Sequence, residues 1–353
     1  MRQFVIFLVI VFSSIEVLYA REYKWNVSFE YFFNNNEYAA STFAADNTQI
    51  GTWLNTLGGI SWDNSHSIFG GINFLKIPGT QHTIDKIDLS IFYEFETSSV
   101  FFRAGAFPRQ EVLSNYNTFF FRDSINLFMP QMQGVFFRLG NRNNFVNAWL
   151  DWTGMPSAEQ RESFLFGFSG RASHRIFFAD FQSYVNHLSN RAFDYDLGVS
   201  EQMQMLASVG IEHQTAKGFH TLVSAGILAS SERLRRQQLV YRPLGFVARA
   251  DAEFWGIGTQ NLLYLGNPRM KFYEREGSAL YWQTPFLQGS TYLHSRWYIR
   301  LLETPFAQVR FDYNLHFTEG KMLHQQMFTV SANIGNWSKE KNTRTSFPWS
   351  KFF

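Results

Sequence analysis

The sequence predicts an all-β protein, a closed antiparallel up-and-down transmembrane β-barrel of about 16 strands, bracketed at roughly 14–18. Three observations carry this. Long segments alternate apolar and polar residues with a period of two. Tight turns and longer loops take turns between those segments. The chain opens on an export signal and has no later apolar run long enough for a spanning helix.

The alternation is clearest in FAQVRFDYNLHF, Phe306 to Phe317. Ala307, Val309, Phe311, Tyr313, Leu315 and Phe317 form one face; Gln308, Arg310, Asp312, Asn314 and His316 form the other. The same pattern runs through YKWNVSFEYFF from Tyr23, KIDLSIFYEFE from Lys86, GFVARADAEF from Gly245 and YLHSRWYIRL from Tyr292. Strands are expected at 23–34, 50–63, 66–77, 85–97, 99–109, 132–141, 144–153, 162–174, 175–189, 205–215, 219–231, 244–256, 257–267, 290–303, 305–318 and 323–337, with no helix. Most exceed the ~5–6 residues usual in globular proteins. They match the ~9–11 that a tilted strand needs to cross a bilayer.

The connections alternate in length. Short turns at DNSH (63–66), ETSS (96–99), NRNN (141–144), TAKG (215–218) and WGIG (255–258) are interleaved with longer links, including 110–131 and 268–289. This is the layout of hairpins whose turns sit at one end and loops at the other. A soluble exported β-sandwich also alternates, but strand length, scarce lysine (9 Lys against 22 Arg) and rings near strand ends (Tyr23, Trp25, Trp62, Trp152, Trp297, Trp337) favour the barrel.

Composition narrows the function. There is no cysteine, hence no disulfide, thiolate metal site or cysteine nucleophile. A net charge of +2 is too small for a nucleic-acid footprint. Phe alone contributes 40 residues, as pleated, half-buried surfaces favour. Residues 1–20 read as a cleaved signal peptide, with Arg2 before the apolar run Phe4–Phe12 and Ala20 at the cleavage site. Residues 21–337 form the expected barrel, and 338–353 a C-terminal tail whose placement the sequence leaves open.

About eight strands close on their own side chains, whereas sixteen enclose an aqueous lumen. By parity the inward face carries Arg103, Arg109, Arg138, Asp151, Arg171, Asp180, Glu212, Arg249, Asp251, Glu253, Arg296, Arg300, Arg310 and Asp312.

With its export signal, dyad-repeat strands and loop asymmetry, the chain resembles the general porin class of Gram-negative outer membranes. The resemblance spans the mature chain as an architecture and carries no specific-channel motif. It implies an outer-membrane location and a third long loop folded into the lumen to narrow it. Here that loop is RAGAFPRQEVLSNYNTFFFRDSINLFMPQMQGVFF; its Phe119, Phe120, Phe121, Ile125, Leu127, Phe128 and Met129 are a heavy apolar load for a loop in water. Arg122 and Asp123 would then either present opposed charges to the pore or fix the loop to the wall. The seventh loop, NPRMKFYEREGSALYWQTPFLQG, would cap the mouth, meet a partner subunit or bind a ligand.

The expected function is passive diffusion of small polar or anionic solutes through a water-filled lumen. The expected pore-lining and constriction set is Arg103, Arg109, Arg122, Asp123, Arg138, Arg249, Asp251, Glu253, Arg296, Arg300, Arg310 and Asp312. Alternatives are a plugged structural or surface-binding barrel, and a barrel hydrolase for which His294 and His316 are the residues to test. None of the nine His falls in a metal-binding or hydrolase motif, so no catalytic residue, metal or cofactor is expected. The expected partners are outer-membrane lipid and small solutes, not nucleic acid; a homo-oligomer is left open.

Overall fold

The computed structural model describes residues 22–337, apart from 142, 195, 216 and 217. The signal-peptide and tail expectations therefore lie outside the described residues. The strands in chain order are β1 (Glu22–Glu37), β2 (Asn47–Trp62), β3 (His66–Lys76), β4 (Lys86–Glu96), β5 (Val100–Pro108), β6 (Gln131–Gly140), β7 (Phe145–Gly154), β8 (Arg161–His174), β9 (Phe177–Arg191), β10 (Ser200–Gln214), β11 (His220–Leu234), β12 (Leu239–Tyr241), β13 (Leu244–Phe254), β14 (Ile257–Gly266), β15 (Thr291–Glu303), β16 (Ala307–Thr318) and β17 (Lys321–Gly335). β12 is a short addition to β11; the other sixteen are staves. Each pairs antiparallel with its sequence neighbour, and β1 pairs with both β2 and β17, which closes the ring. Closure leaves no strand edge, the condition for a sheet to sit in hydrocarbon.

Both ends of the chain's described part lie with the short turns, since Asn26 faces Gly335 across the seam. Several turns place left-handed residues where a two-residue hairpin needs them: Glu319 and Gly320 at φ 54° and 72°, and Trp255 and Gly256 at 51° and 80°. Positive φ at both central positions matches the right-handed twist of the flanking strands. The Glu319–Gly320 turn is the exception to the asymmetry, a tight turn at the long-loop end.

The two faces follow the alternation. Tyr23, Trp25, Val27 and Phe29 of β1 and Ile87, Leu89 and Ile91 of β4 are exposed on the outside. Phe311 is also exposed, while Asp312, Asn314, His316 and Thr318 of the same strand are buried inside. Two aromatic expectations are corrected. Trp337 turns inward, 4.6 Å from the Phe69 ring, and Trp297 faces outward at mid-strand rather than at a strand end.

The expectation of no helix is also corrected. α1 (Gln110–Leu113), α2 (Asp123–Phe128), α3 (Tyr273–Leu280) and a 3₁₀ turn (Pro285–Gln288) occur, all in the two longest loops. They are too short to show a helical period, and burial against the wall, not propensity, holds them.

Ile91 tests which face meets lipid. Ile91→Arg sets a charge at mid-span and should cost about 2–4 kcal/mol of folding free energy in vesicles by urea unfolding. A cost near zero would move that face out of the bilayer.

Candidate functional site

The inward face is not uniformly polar, and this corrects the parity reading. A band of Phe69, Phe92, Phe136, Trp149, Leu165, Tyr184, Leu206 and Leu228 is buried inside the barrel. It packs on Phe119, Phe120 and Phe121 from loop 3 (109–130) and on Trp282, Phe286 and Leu287 from loop 7 (267–290), forming one cluster. Tyr116 is 5.9 Å edge-on from Trp149; Phe121 stacks on Tyr184 at 5.7 Å. The lumen therefore holds a two-loop plug. The sequence signal was there in the Phe-rich loop and in the rings, Phe32 and Phe92, that interrupt the polar sets.

Buried ion pairs and backbone bonds fix loop 3. Arg109, at its start, pairs with Asp151 of β7, and both are almost wholly buried. Arg109 also donates to the carbonyls of Met129 (3.1 Å) and Gln131 (2.8 Å), so one guanidinium holds both stems of the loop. Its ring partner is Trp282 of loop 7, 5.1 Å away. Arg103 of β5 binds Glu94 and, at 2.7 Å, Glu111 of α1. Tyr116 accepts the Trp149 indole N–H at 2.8 Å and donates to the Ser183 carbonyl at 2.9 Å. Burial raises its pKa, so the donor proton stays in place.

Loop 7 has its own anchors, none expected from sequence. Glu232 of β11 accepts from the Met270 and Lys271 amides at 2.8 and 2.7 Å and from the Tyr281 hydroxyl at 2.8 Å. Burial first, then the Glu232 charge, raises the pKa of Tyr281. Glu276 of α3 accepts from Arg161 at 2.6 Å and from Ser200 at 2.9 Å. The loops are tied together: the Arg122 amide donates to the Trp282 carbonyl at 2.8 Å, and its guanidinium to that of Tyr281.

The twelve expected residues divide by place. Arg103 and Arg109 hold the plug. Arg122 joins the two loops. Asp123 accepts from Gln325 of β17 at 2.7 Å. Arg138 lies 5.1 Å over the Phe101 ring. The remaining seven gather on the β13–β16 wall. Arg249 pairs with Asp251 (2.6 Å), Arg300 with Glu303 (2.7 Å) and Glu253, and Arg296 and Arg310 share Asp312 at 2.6 and 2.7 Å.

Space remains on both sides of the plug along this wall. An outer cavity of about 180 Å³, toward the long loops, is lined by Asn34, Asp123, His294, Arg296, His316 and Gln325 among others. An inner cavity of about 330 Å³, toward the short turns, is lined by Arg171, Asp180, Glu212, Arg249, Glu253 and Arg310 among others. Arg296 lines the first, Arg310 the second, and Asp312 binds both. The structure also brings His294 and His316 together, stacked at 4.7 Å. His316 Nδ1 meets the Tyr292 hydroxyl at 2.8 Å; Nε2 meets Tyr38 at 3.2 Å and Gln325 at 3.1 Å. Among the described residues, no group of three or more His, Asp or Glu is arranged to hold a metal ion.

A family model described as lipid A 3′-O-deacylase-type matches residues 15–335. No curated protein matches the chain. Among solved structures, OccK8 (OprE) of Pseudomonas aeruginosa aligns with TM-score 0.54 and 10% identity over 89% of this chain and 98% of its own. A loop-deletion mutant of OmpT, an outer membrane protein of Vibrio cholerae, aligns with TM-score 0.53 and 10% identity over 89% and 100%. OmpF of Salmonella typhi, in complex with daunomycin, aligns with TM-score 0.52 and 8% identity over 90% and 98%. At such identities the likeness is one of fold.

Removing one partner of a buried ion pair strands the other charge. Arg109→Ala should destabilise the protein by about 3–5 kcal/mol. It should also open loop 3 to protease added to the purified protein. A loop that stays resistant would show that the apolar packing suffices without the bracket.

Proposed function

The chain belongs to the lipid A 3′-O-deacylase-type family, and from that premise we propose that this member works as a narrow outer-membrane channel for small polar or anionic solutes. The path follows the β13–β16 wall beside the plug, and the plug itself stays seated. Releasing it would expose Phe119, Phe120, Phe121, Trp282 and Phe286, five large buried side chains worth about 1.5–3 kcal/mol each. Passage beside it needs only side-chain motion. Long loops face the exterior and short turns the periplasm, lipid surrounds the outer belt, and loop 3 narrows the lumen by filling it.

The observation that carries this reading is the Arg296–Asp312–Arg310 cluster between the two cavities. Two guanidiniums on one carboxylate leave a net positive gate, and a ring of fixed charge at the narrowest point sets ion preference. Arg249 and Arg300 continue the wall inward, and Arg171 of β8 lines the same inner cavity, each beside a carboxylate. Purified protein in planar bilayers should give small conductance steps with mild anion preference. Asp312→Asn should strengthen that preference, and the double variant Arg296→Ala, Arg310→Ala should reverse it, read as the sign of the reversal potential in a salt gradient. A folded protein that gives no steps would overturn the reading.

A second reading has two observations in its favour: the family match and the His294–His316 stack near Asp123. An ester hydrolase needs a base free to take a proton from water or a nucleophile. Both His316 nitrogens already have side-chain partners, and the ring is buried. The channel reading therefore expects lipid A of unchanged mass from cells expressing the protein. Loss of an acyl chain that His294→Ala or His316→Ala restores would establish the hydrolase instead.

A further inference from the structure

We infer that the lumen carries, on the wall away from the charged path, a binding site for a neutral polyhydroxylated solute the size of a mono- or disaccharide. A third cavity, of about 350 Å³, lies between β1–β4, β17 and the underside of loop 3. This is near the lower end of the roughly 300–1,000 Å³ of small-molecule pockets, too small for a longer chain.

Its lining is of a different chemical kind from the other wall. Among the described residues no Lys, Arg or His lines it, and the ionisable side chains that do are Glu30 and Glu111, the latter held by Arg103 at 2.7 Å. Of the rest, eleven residues carry an amide or hydroxyl, set among apolar surface from Trp53, Leu57, Pro108, Pro130 and Trp337. Asn73 donates to Ser90 at 2.9 Å, Ser90 to Gln131 at 3.3 Å, and Asn55 to Ser28 at 3.2 Å. These bonds orient the amides before any ligand arrives. An anion would find no counter-charge here, whereas a polyol would find alternating donors and acceptors.

Two buried polar atoms add a second, independent observation. Asn26 Oδ1 and Trp337 Nε1 have no hydrogen-bond partner among the described residues, on residues 9% and 7% exposed that both line this cavity. One is an acceptor and the other a donor. A hydroxyl both donates and accepts, so the same ligand group suits either atom. An unmet buried group is costly, and a ligand hydroxyl would relieve that cost. The Trp337 indole, wedged against Phe69, Phe92 and the Arg103 guanidinium, supplies a fixed ring edge.

The site is tested by binding rather than by transport, so its failure is distinguishable from failure of the channel. Full-length protein in detergent is titrated with glucose, maltose, gluconate and glucosamine, followed by calorimetry and tryptophan fluorescence. Saturable binding is expected for a neutral sugar and is expected to be weaker for gluconate and glucosamine. Asn26→Ala and Trp337→Phe should each weaken it about fivefold to tenfold, the loss of one hydrogen bond. Folding of each variant is checked by heat-modifiable gel mobility; if Trp337→Phe fails to fold, Asn26→Ala and Asn73→Ala carry the test. No saturable binding of either neutral sugar, equal affinity in folded variants, or preference for the charged sugars would overturn the proposal.

Discussion

In hydrocarbon a backbone amide has no water to turn to, and nearly everything in this structure follows from meeting that demand with strands. Sixteen staves pair edge to edge until β17 meets β1. The ring that satisfies the backbone is wider than its wall side chains can fill. The interior must then be water or something folded in from a loop. Here it is both: an apolar two-loop plug across the middle, and polar cavities along the wall on either side.

The plug reverses the usual meaning of buried charge in a pore. Arg103, Arg109 and Glu232 are inward, charged and buried, yet they serve to seat loops. Most of the arginines with room beside them lie on the β13–β16 wall, with Arg171 of β8 lining the same inner cavity, and even these come paired. Strong selectivity is not what such pairing produces. A single carboxylate held between two arginines is the place on the β13–β16 wall where arginines outnumber the carboxylates they bind, and a solute passing from the outer to the inner cavity would meet it.

Much of the fold was legible in the sequence because a period of two is imposed by backbone geometry, whatever lies around the strand. All sixteen staves fall where alternation placed them, and FAQVRFDYNLHF divides as its letters do, Phe311 outward and Asp312 inward. The helices of loops 3 and 7 were hidden because tertiary burial, not local pattern, makes them. Parity tells which side a residue faces but not what fills that side. Arg122 could be read as loop or gate from sequence; only the Trp282 and Tyr281 carbonyls reveal that it ties one loop to the other. Glu232 and Glu276 carried no signal at all, since a lone carboxylate on a strand or in a loop is ordinary until an amide arrives beside it.

The Arg109–Asp151 bracket also bears on how such a molecule is built. It joins residues 42 apart, and it closes entirely within the β5–β6–β7 meander. Loop 7 is different: its anchors reach from 269–283 back to Arg161, Tyr184, Asn186 and Glu232 on strands made much earlier. Closing the shorter connection first costs less chain entropy. Loop 3 would then take its place while the sheet is still an open trough, loop 7 would settle onto it once β8–β11 are laid down, and the β1–β17 seam would seal last. A barrel assembled in that order never has to thread its contents through a finished mouth.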